Sequence, residues 1–187
     1  MDHRILVGVT GATGQVFGIT ALELLEERSD VETHLVLSDA AARNIDQEDE
    51  RSVAAVRDLA DHVYDNGNIG AAIASGSFPA TGMLVAPCSM NSLSKIAHGT
   101  ADNLLLRAAA VTLKERRNLV VMPMEKPFSR IGLENMLAVT DAGGVIIPPL
   151  LSYYTEGRSL DAMTRRTVAR ALSQTGLEME YEAWEGQ

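Results

Sequence analysis

Residues 5–14 read ILVGVTGATG, and this stretch decides the fold. Residues 5–9 form a short, apolar, β-branched run bounded by glycine, which is typical of a buried strand in a parallel sheet. A glycine-rich turn follows at residues 10–14, and residues 15–26 are predicted to be a helix. Its predicted buried face consists of Val16, Ile19, Leu22 and Leu25. The chain therefore opens with a strand–turn–helix unit.

The same alternation continues along the chain. Further strands are predicted at residues 32–37, 62–64, 82–86, 119–122 and 145–147, with Pro87 and Pro123 ending two of them. Further helices are predicted at residues 39–45, 52–59, 92–97, 103–114, 133–142 and 160–174, the last with a buried stripe of Leu160, Met163, Thr167 and Ala171. This pattern predicts an α/β fold: a single Rossmann-like (flavodoxin-like) domain over residues 1–187, with a doubly wound parallel sheet in three layers.

In such a sheet, ligands bind beyond the carboxyl ends of the strands. The turns at Thr10, Ser38 and Pro87 each follow a predicted strand, so we expect them to meet at that edge. The C-terminal helix, around residues 159–175, is expected to close the site.

Composition excludes several classes of protein. The formal net charge is −9, from 16 basic and 25 acidic residues, which argues against a nucleic-acid partner. The one cysteine, Cys88, cannot form an intramolecular disulfide and is expected to be a small buried hydrophobic residue. The four histidines (His3, His34, His62 and His98) show no ligand spacing, so no structural metal is expected. No signal peptide or membrane-spanning segment is recognisable, which predicts a cytoplasmic protein without a membrane partner.

The glycine-rich turn is a nucleotide-binding signal. Glycines let a phosphate approach the backbone, and the helix that follows offers free N–H groups and the positive end of its dipole. A tight βα turn without a ligand would have the same sequence, and the turn does not separate FMN from NAD(P). VTGATGQV also resembles the start of atypical short-chain dehydrogenases, but the chain has no Tyr-x-x-x-Lys pair.

Charged residues mark a second candidate feature. Arg107 and Lys114 are seven residues apart, about two helical turns, so they share a helix face and call for an anion or a carboxylate partner. A solvated, salt-bridged face is the plainer alternative. Arg170 is placed near the buried stripe of the last helix, and Glu125 lies in a rigid loop between two prolines.

Taken together, several segments resemble the flavin prenyltransferase family, the UbiX and phenylacrylate decarboxylase-accessory proteins. The resemblance covers nearly the whole chain, and its segments occur in the family's order. They are VGVTGATG, ETHLVLSDAA, IASGSF, PCSMNSL, DNLLLRAA, LKERRNLV, the Glu-x-Pro loop, LENM, PPLLSYY and the closing Trp184.

The resemblance implies a metal-independent transferase. Such proteins join a dimethylallyl group from dimethylallyl phosphate to N5 and C6 of reduced FMN. The product, prenylated FMN, is the cofactor of a separate UbiD-type decarboxylase. The resemblance also implies a homo-oligomer, usually a dodecamer. Two alternatives remain open: a non-catalytic carrier of FMN or prenylated FMN, and an NAD(P)-dependent reductase.

The resemblance also implies roles for individual residues. FMN would be bound by Gly11, Ala12, Thr13, Ser38, Ser89, Met90, Asn91 and Met124. The prenyl phosphate would be bound by Arg107, Lys114, Tyr154 and Arg170, which we call the phosphate clamp. Glu125 would act in proton transfer, with Lys114 and a carboxylate at Glu48 or Glu50 as further catalytic groups. The chain departs from the family pattern at Met124 (usually arginine), Asn91 (usually lysine) and Gly132 (often histidine).

Overall fold

The structure is a computed structural model that describes residues 2–153 and 159–181. Its six strands are β1 (His3–Val9), β2 (Val31–Leu37), β3 (His62–Tyr64), β4 (Gly82–Cys88), β5 (Asn118–Pro123) and β6 (Val145–Ile146). Its helices are α1 (Gln15–Glu26), α2 (Asp39–Glu48), α3 (Val53–Arg57), α4 (Met90–Ala97), α5 (Leu104–Lys114), α6 (Arg130–Asp141) and α7 (Leu160–Ser173). No helix in these ranges has both the length and the apolar character needed to cross a bilayer.

The strands form one parallel sheet in the order β3-β2-β1-β4-β5-β6. This is the Rossmann order, and without the short edge strand β3 it is the flavodoxin order. The predicted fold class is therefore confirmed. In both orders the direction of winding reverses between β1 and β4, so the crevice beyond these two strands is the expected ligand site.

Helices cover both faces of the sheet. Alternate residues of β1 point to opposite sides: Ile5 and Val7 belong to a core shared with α1, α2, α3 and α7. Leu6 belongs to a second core, shared with α4, α5 and α6. Because strands buried on both faces need apolar residues at nearly every position, β1 and β4 appear in the sequence as continuous apolar runs.

The buried face of α1 differs from the prediction. Val16 is 44% exposed, whereas Phe17 and Gly18 are buried. The reason is close packing: a side chain at Gly18 would overlap the carbonyl oxygen of Ala86 in β4. The missing side chain at Gly18 therefore sets which side of α1 faces the sheet. The predicted stripe of α7 was wrong in one place, since Leu160 is 70% exposed.

Two predicted boundaries also change. Strand β4 continues through Pro87 to Cys88, with an irregular register against β5 between Val85 and Cys88. Proline lacks an N–H group, but the carbonyl of Pro87 still accepts a bond from Thr10 N, at 3.2 Å. Helix α2 runs to Glu48 rather than ending at residue 45, so that glutamate is helical rather than part of a loop.

Two of the four histidines lie side by side, although their spacing in the sequence does not indicate it. Parallel pairing of β2 and β3 places His34 opposite His62, with ring centroids 4.8 Å apart. His34 is buried, and this burial lowers its pKa to about 4. At neutral pH the imidazole of His34, on β2 beside the edge strand β3, is therefore uncharged.

We predict that Gly18→Ala destabilises the fold. The added methyl group would push α1 away from β4, which should lower the free energy of unfolding by about 1–3 kcal/mol. The higher helix propensity of alanine should restore up to about 1 kcal/mol of this loss. Urea denaturation measures the change. Gly67→Ala is the control, because a Cβ there would meet no atom closer than 3.6 Å. Equal stability of the two variants would contradict the packing argument.

We predict that His34 contributes to loss of stability in acid. Its pKa is about 6.5 in the unfolded chain and about 4 in the fold, so between these values the unfolded state binds the proton more readily. The free energy of unfolding should therefore fall as the pH drops from 6.5 to 4, and less steeply in His34→Gln. His98→Gln, at an exposed position, should follow the wild type. Identical pH profiles for wild type and His34→Gln would refute this role.

Candidate active site

The side chain of Thr10 joins two turns at the point where β1 and β4 end. Its hydroxyl donates to the carbonyl of Pro87 at 2.9 Å and accepts from the backbone N–H of Ser89 at 2.7 Å. On the other side of β1, the N–H of Ser38 donates to the carbonyl of Val9 at 3.0 Å. The predicted meeting of the Thr10, Ser38 and Pro87 turns at the carboxyl edge is therefore confirmed.

Three helices begin at this edge. Ser38 caps α2 by accepting a bond from Ala41 N at 3.1 Å, and Ser89 caps α4 by accepting from Ser92 N at 3.2 Å. Helix α1 begins directly after Gly14. Helix N-termini present unpaired N–H groups and the positive end of the helix dipole. Their convergence at the β1–β4 crevice favours an anionic ligand such as a phosphate.

The glycine-rich turn itself is shaped by packing. A side chain at Gly11 would overlap Ala40 of α2, so this glycine lets the turn lie against α2. Gly14 has a φ of 85°, a left-handed conformation that favours glycine. The residues between them differ in exposure: Ala12 is buried and Thr13 is exposed.

Gln15 supports the turn from beneath, which the sequence analysis missed. It is fully buried, and its amide nitrogen donates to the carbonyls of Thr10 at 2.9 Å and Ala12 at 2.6 Å. A glutamine at the start of a predicted helix carries no special signal. A long polar side chain within an otherwise apolar helix face is the feature that could have identified it.

Glu48 reaches this site from the end of α2. One of its carboxylate oxygens accepts the N–H groups of Gly14 and Gln15 at 2.8 and 3.0 Å. A carboxylate thus occupies the N-terminus of α1, where it satisfies two backbone donors and complements the helix dipole. The structure thus brings Glu48 to the glycine-rich turn, and its catalytic role stays a prediction.

The loop after β5 lies beside the same turn. Met124 donates its backbone N–H to the carbonyl of Cys88 at 3.0 Å, and its terminal methyl carbon lies 2.8 Å from the position that a Cβ on Gly14 would occupy. Glu125, the next residue, is exposed and accepts the N–H of Lys126 at 3.2 Å. Glu48 and the loop bearing Glu125 therefore both adjoin Gly14.

The first turn of α4 completes the group that the structure brings together. Met90 is partly buried and packs against the core beneath α4 and α6, and Asn91 is exposed. A Cβ on Gly132, at the start of α6, would lie 2.6 Å from the terminal methyl carbon of Met90. A histidine at position 132 would therefore displace Met90, so the glycine and the methionine fit together.

Cys88 ends β4 directly before the turn at Ser89. Its side chain is fully buried, and this burial raises the pKa of its thiol to about 12. A thiol of that kind is a poor nucleophile. The expectation of a small buried hydrophobic residue is confirmed.

Among the described residues of the predicted phosphate clamp, Arg170 lies apart from Arg107 and Lys114 within one chain. Arg107 Nε donates to the carbonyl of Ala74 at 3.1 Å, and Lys114 pairs with Glu115 at the end of α5. Arg170 lies in the last turn of α7, where it bonds to Ser173 Oγ at 3.2 Å and stacks over the ring of Tyr181. Tyr154 lies outside the described residues.

Topology explains the separation. Helices α5 and α7 pack on opposite faces of the sheet. Both run back towards the amino ends of the strands: Lys114 lies shortly before β5, and the backbone after α7 lies against Gly82 at the start of β4. Lys114 and Arg170 are thus at the edge opposite the glycine-rich turn. The placement of Arg170 near the buried stripe was also wrong, since the residue is exposed.

Known proteins share this architecture and sequence. A family model described as Flavoprotein matches residues 1–167. The flavin prenyltransferase UbiX of Neisseria meningitidis is 48% identical over 187 residues, which cover all of this chain and 98% of that protein. A probable UbiX-like flavin prenyltransferase of Sedimentibacter hydroxybenzoicus is 45% identical over 184 residues, covering 98% of this chain and 97% of that one.

Solved structures agree. AnUbiX in complex with FMN and dimethylallyl pyrophosphate superimposes with a TM-score of 0.95 at 43% identity, with full coverage of both chains. A dodecameric, FMN-dependent UbiX-like decarboxylase from Escherichia coli O157:H7 gives a TM-score of 0.93 at 44% identity, covering 98% of this chain and all of that one. The likeness extends over the whole described sheet and the turns at its carboxyl edge, and the chain belongs to the UbiX-like flavin prenyltransferase family.

Proposed function

We propose that this protein is a flavin prenyltransferase, which joins the dimethylallyl group of dimethylallyl phosphate to N5 and C6 of reduced FMN. The observation that carries the proposal is the convergence of three helix N-termini on the β1–β4 crevice. The full-length similarity to AnUbiX, whose structure contains FMN and dimethylallyl pyrophosphate, supports the same reaction.

The FMN phosphate is assigned to the N-termini of α2 and α4. The N–H groups at the start of α1 are already bonded to Glu48, whereas Ser38 and Ser89 leave the first turns of their helices open to an anion. Thr13, which is exposed at the tip of the turn, adds a hydroxyl donor. Met90 and Met124 would give the flavin ring apolar contacts.

The reaction requires one leaving group and groups that exchange protons. The allylic C–O bond of the donor breaks and phosphate leaves, while N5 of the flavin bonds to the freed carbon and releases its proton. The double bond of the donor then takes up a proton, its tertiary carbon bonds to C6, and C6 releases its own proton. Glu48 bonds to Gly14 and the loop that bears Glu125 begins beside it, which supports these two carboxylates as the groups that exchange the protons.

The leaving phosphate needs cations that the glycine-rich turn of the same chain lacks. Because Lys114 and Arg170 lie at the edge opposite this turn, the clamp would be completed by neighbouring copies in a homo-oligomer. Two observations support this: the relative from Escherichia coli O157:H7 is dodecameric, and large apolar side chains of α6 and the segment after β6 are exposed. These are Ile131, Leu133, Leu137, Leu150 and Tyr153.

The product would serve elsewhere. Prenylated FMN made here would pass to a separate UbiD-type decarboxylase in the cytoplasm. The family resemblance supports this step, and Trp184 and Tyr154, which carry part of that resemblance, lie outside the described residues.

We predict that Ser38→Asp weakens FMN binding without unfolding the protein. Aspartate caps helices as well as serine does, so α2 should persist, while its charge repels the phosphate. We expect at least a tenfold rise in the dissociation constant of FMN, measured by flavin fluorescence.

The matched control is Ser52→Asp, at the cap of α3, where Ser52 Oγ accepts Ala55 N at 3.2 Å. This variant should bind FMN as the wild type does. Equal FMN affinity in Ser38→Asp and Ser52→Asp would show that the phosphate does not lie at α2.

We predict that Arg170→Ala weakens use of dimethylallyl phosphate but leaves FMN bound. Loss of one charged hydrogen bond costs about 1.5–3 kcal/mol, so the donor concentration for half-maximal rate should rise about 10- to 150-fold. The measurement is the single-turnover rate at which prenylated FMN forms from reduced FMN, as a function of the dimethylallyl phosphate concentration. Arg57→Ala, which also removes an arginine from the last turn of a helix, is the control.

The outcomes separate two failures. Unchanged donor dependence in Arg170→Ala would remove this residue from the clamp while leaving prenyl transfer intact. No product from FMN-loaded wild type would instead overturn the proposed function and point to a carrier of flavin.

A further inference from the structure

A cluster of metal-ligand side chains lies away from the crevice, at the β2–β3 edge of the sheet. Glu32 and His34 project from the same side of β2, and His62 begins β3 opposite His34. One potential ligand atom from each of these three residues lies within 4.8 Å of the other two. We call Glu32, His34 and His62 the edge cluster.

The centre of the edge cluster contains an unsatisfied nitrogen. His34 is 2% exposed, and its Nε2 atom has no hydrogen-bond partner among the described residues. The nearest carboxylate oxygen, Oε1 of Glu32, is 3.7 Å away, which is beyond hydrogen-bond distance. A buried nitrogen of this kind costs free energy until it gains a partner.

Surrounding residues hold two of the ligands in place. The other ring nitrogen of His34, Nδ1, lies 3.0 Å from the hydroxyl of Tyr64. When Nδ1 donates its proton there, Nε2 presents a lone pair to the cluster. The second carboxylate oxygen of Glu32 accepts Arg4 Nε at 2.8 Å. Such outer contacts fix ring orientation and tautomer at metal sites.

We propose that the edge cluster binds one divalent transition-metal ion of the zinc class, through Nε2 of His34, Nε2 of His62 and Oε1 of Glu32. Two imidazoles and one carboxylate are a common ligand set for zinc, with water as the fourth ligand. The family's transfer reaction needs no metal, so this site is separate from it.

The distances suit such an ion after a small adjustment. Neighbouring ligands of a tetrahedral zinc ion are about 3.3 Å apart, given bonds of about 2.0–2.1 Å. Oε1 of Glu32 now lies 2.7 Å from Nε2 of His62 and 3.7 Å from Nε2 of His34. A shift of this oxygen by about half an ångström would equalise the two separations.

Besides this shift of Glu32, the ring of His62 must turn. The two rings stack with their planes 12° apart, so their lone pairs do not yet converge on one point. The side chain of His62 is 49% exposed on an edge strand, where it can rotate, whereas His34 is fixed between Tyr64 and Phe78.

The local charges are compatible with a cation. Arg4 adds one positive charge, which the carboxylate of Glu32 offsets, and Asp61 adds a negative charge beside β2, where it accepts the N–H of Thr33 at 2.8 Å. A bound ion would tie the three-residue strand β3 to β2.

The test is to remove bound metal from the full chain with a chelator and then titrate it with zinc, with calorimetry as the measurement of binding. We expect the wild type to bind one equivalent of Zn²⁺. His62→Ala should bind zinc at least ten times more weakly, and His98→Ala should bind it as tightly as the wild type. His62 and His98 are both exposed, so neither change should disturb folding. Zinc should also raise the melting temperature of the wild type more than that of His62→Ala.

Two results would overturn the proposal. One is equal zinc affinity in wild type and His62→Ala, which would assign any bound zinc to other surface groups. The other is a wild type that binds less than one equivalent at saturating zinc. Visible absorption of Co²⁺-substituted protein gives an independent readout, since an imidazole-coordinated, four-coordinate ion differs in colour from hydrated cobalt.

Discussion

The hydroxyl of Thr10 is the interaction on which the ligand-binding edge depends. It is 2% exposed and bridges the carbonyl of Pro87 and the N–H of Ser89. After these two parallel strands the chain continues to opposite faces of the sheet, with α1 on one face and α4 on the other. Without the hydroxyl, the N–H of Ser89 would lose its partner, at a cost of about 1–3 kcal/mol, while the carbonyl of Pro87 would keep its bond from Thr10 N. The side chain therefore adds a second link between the turns that lead into α1 and α4.

Much of this arrangement could be predicted from the sequence. The apolar runs, the glycine-rich turn and the proline after the central strand are local signals, and they correctly placed the turns at Thr10, Ser38 and Pro87 at one edge. Local signals failed where the answer depends on distant backbone. Whether Val16 is buried depends on the contact of Gly18 with Ala86, and the role of Gln15 depends on carbonyls that only the folded turn presents.

The pairing of His34 with His62 shows the same limit. The two residues are 28 positions apart, and only the register of β2 against β3 brings them together. Spacing rules for metal ligands apply to residues within one helix, turn or hairpin, so they overlooked this pair. The clamp residues show a related limit. Helical spacing correctly indicates that Arg107 and Lys114 share a face of α5, but it does not show that α5 runs towards the amino ends of the strands, which takes Lys114 away from the glycine-rich turn.

Glu48 and Met124 together define the charge at the mouth of the crevice. An anion-binding crevice in a chain of net charge −9 must keep its own carboxylates from repelling the ligand. Glu48 is held by two N–H groups of α1, which direct its charge onto a helix N-terminus. Met124, which carries no charge, lies beside Gly14, one of the two residues whose N–H groups bind Glu48. An arginine at position 124, as in the family pattern, would compete for the carboxylate of Glu48. With methionine there, Glu48 can remain bonded to α1 while the N-termini of α2 and α4 stay open to phosphate.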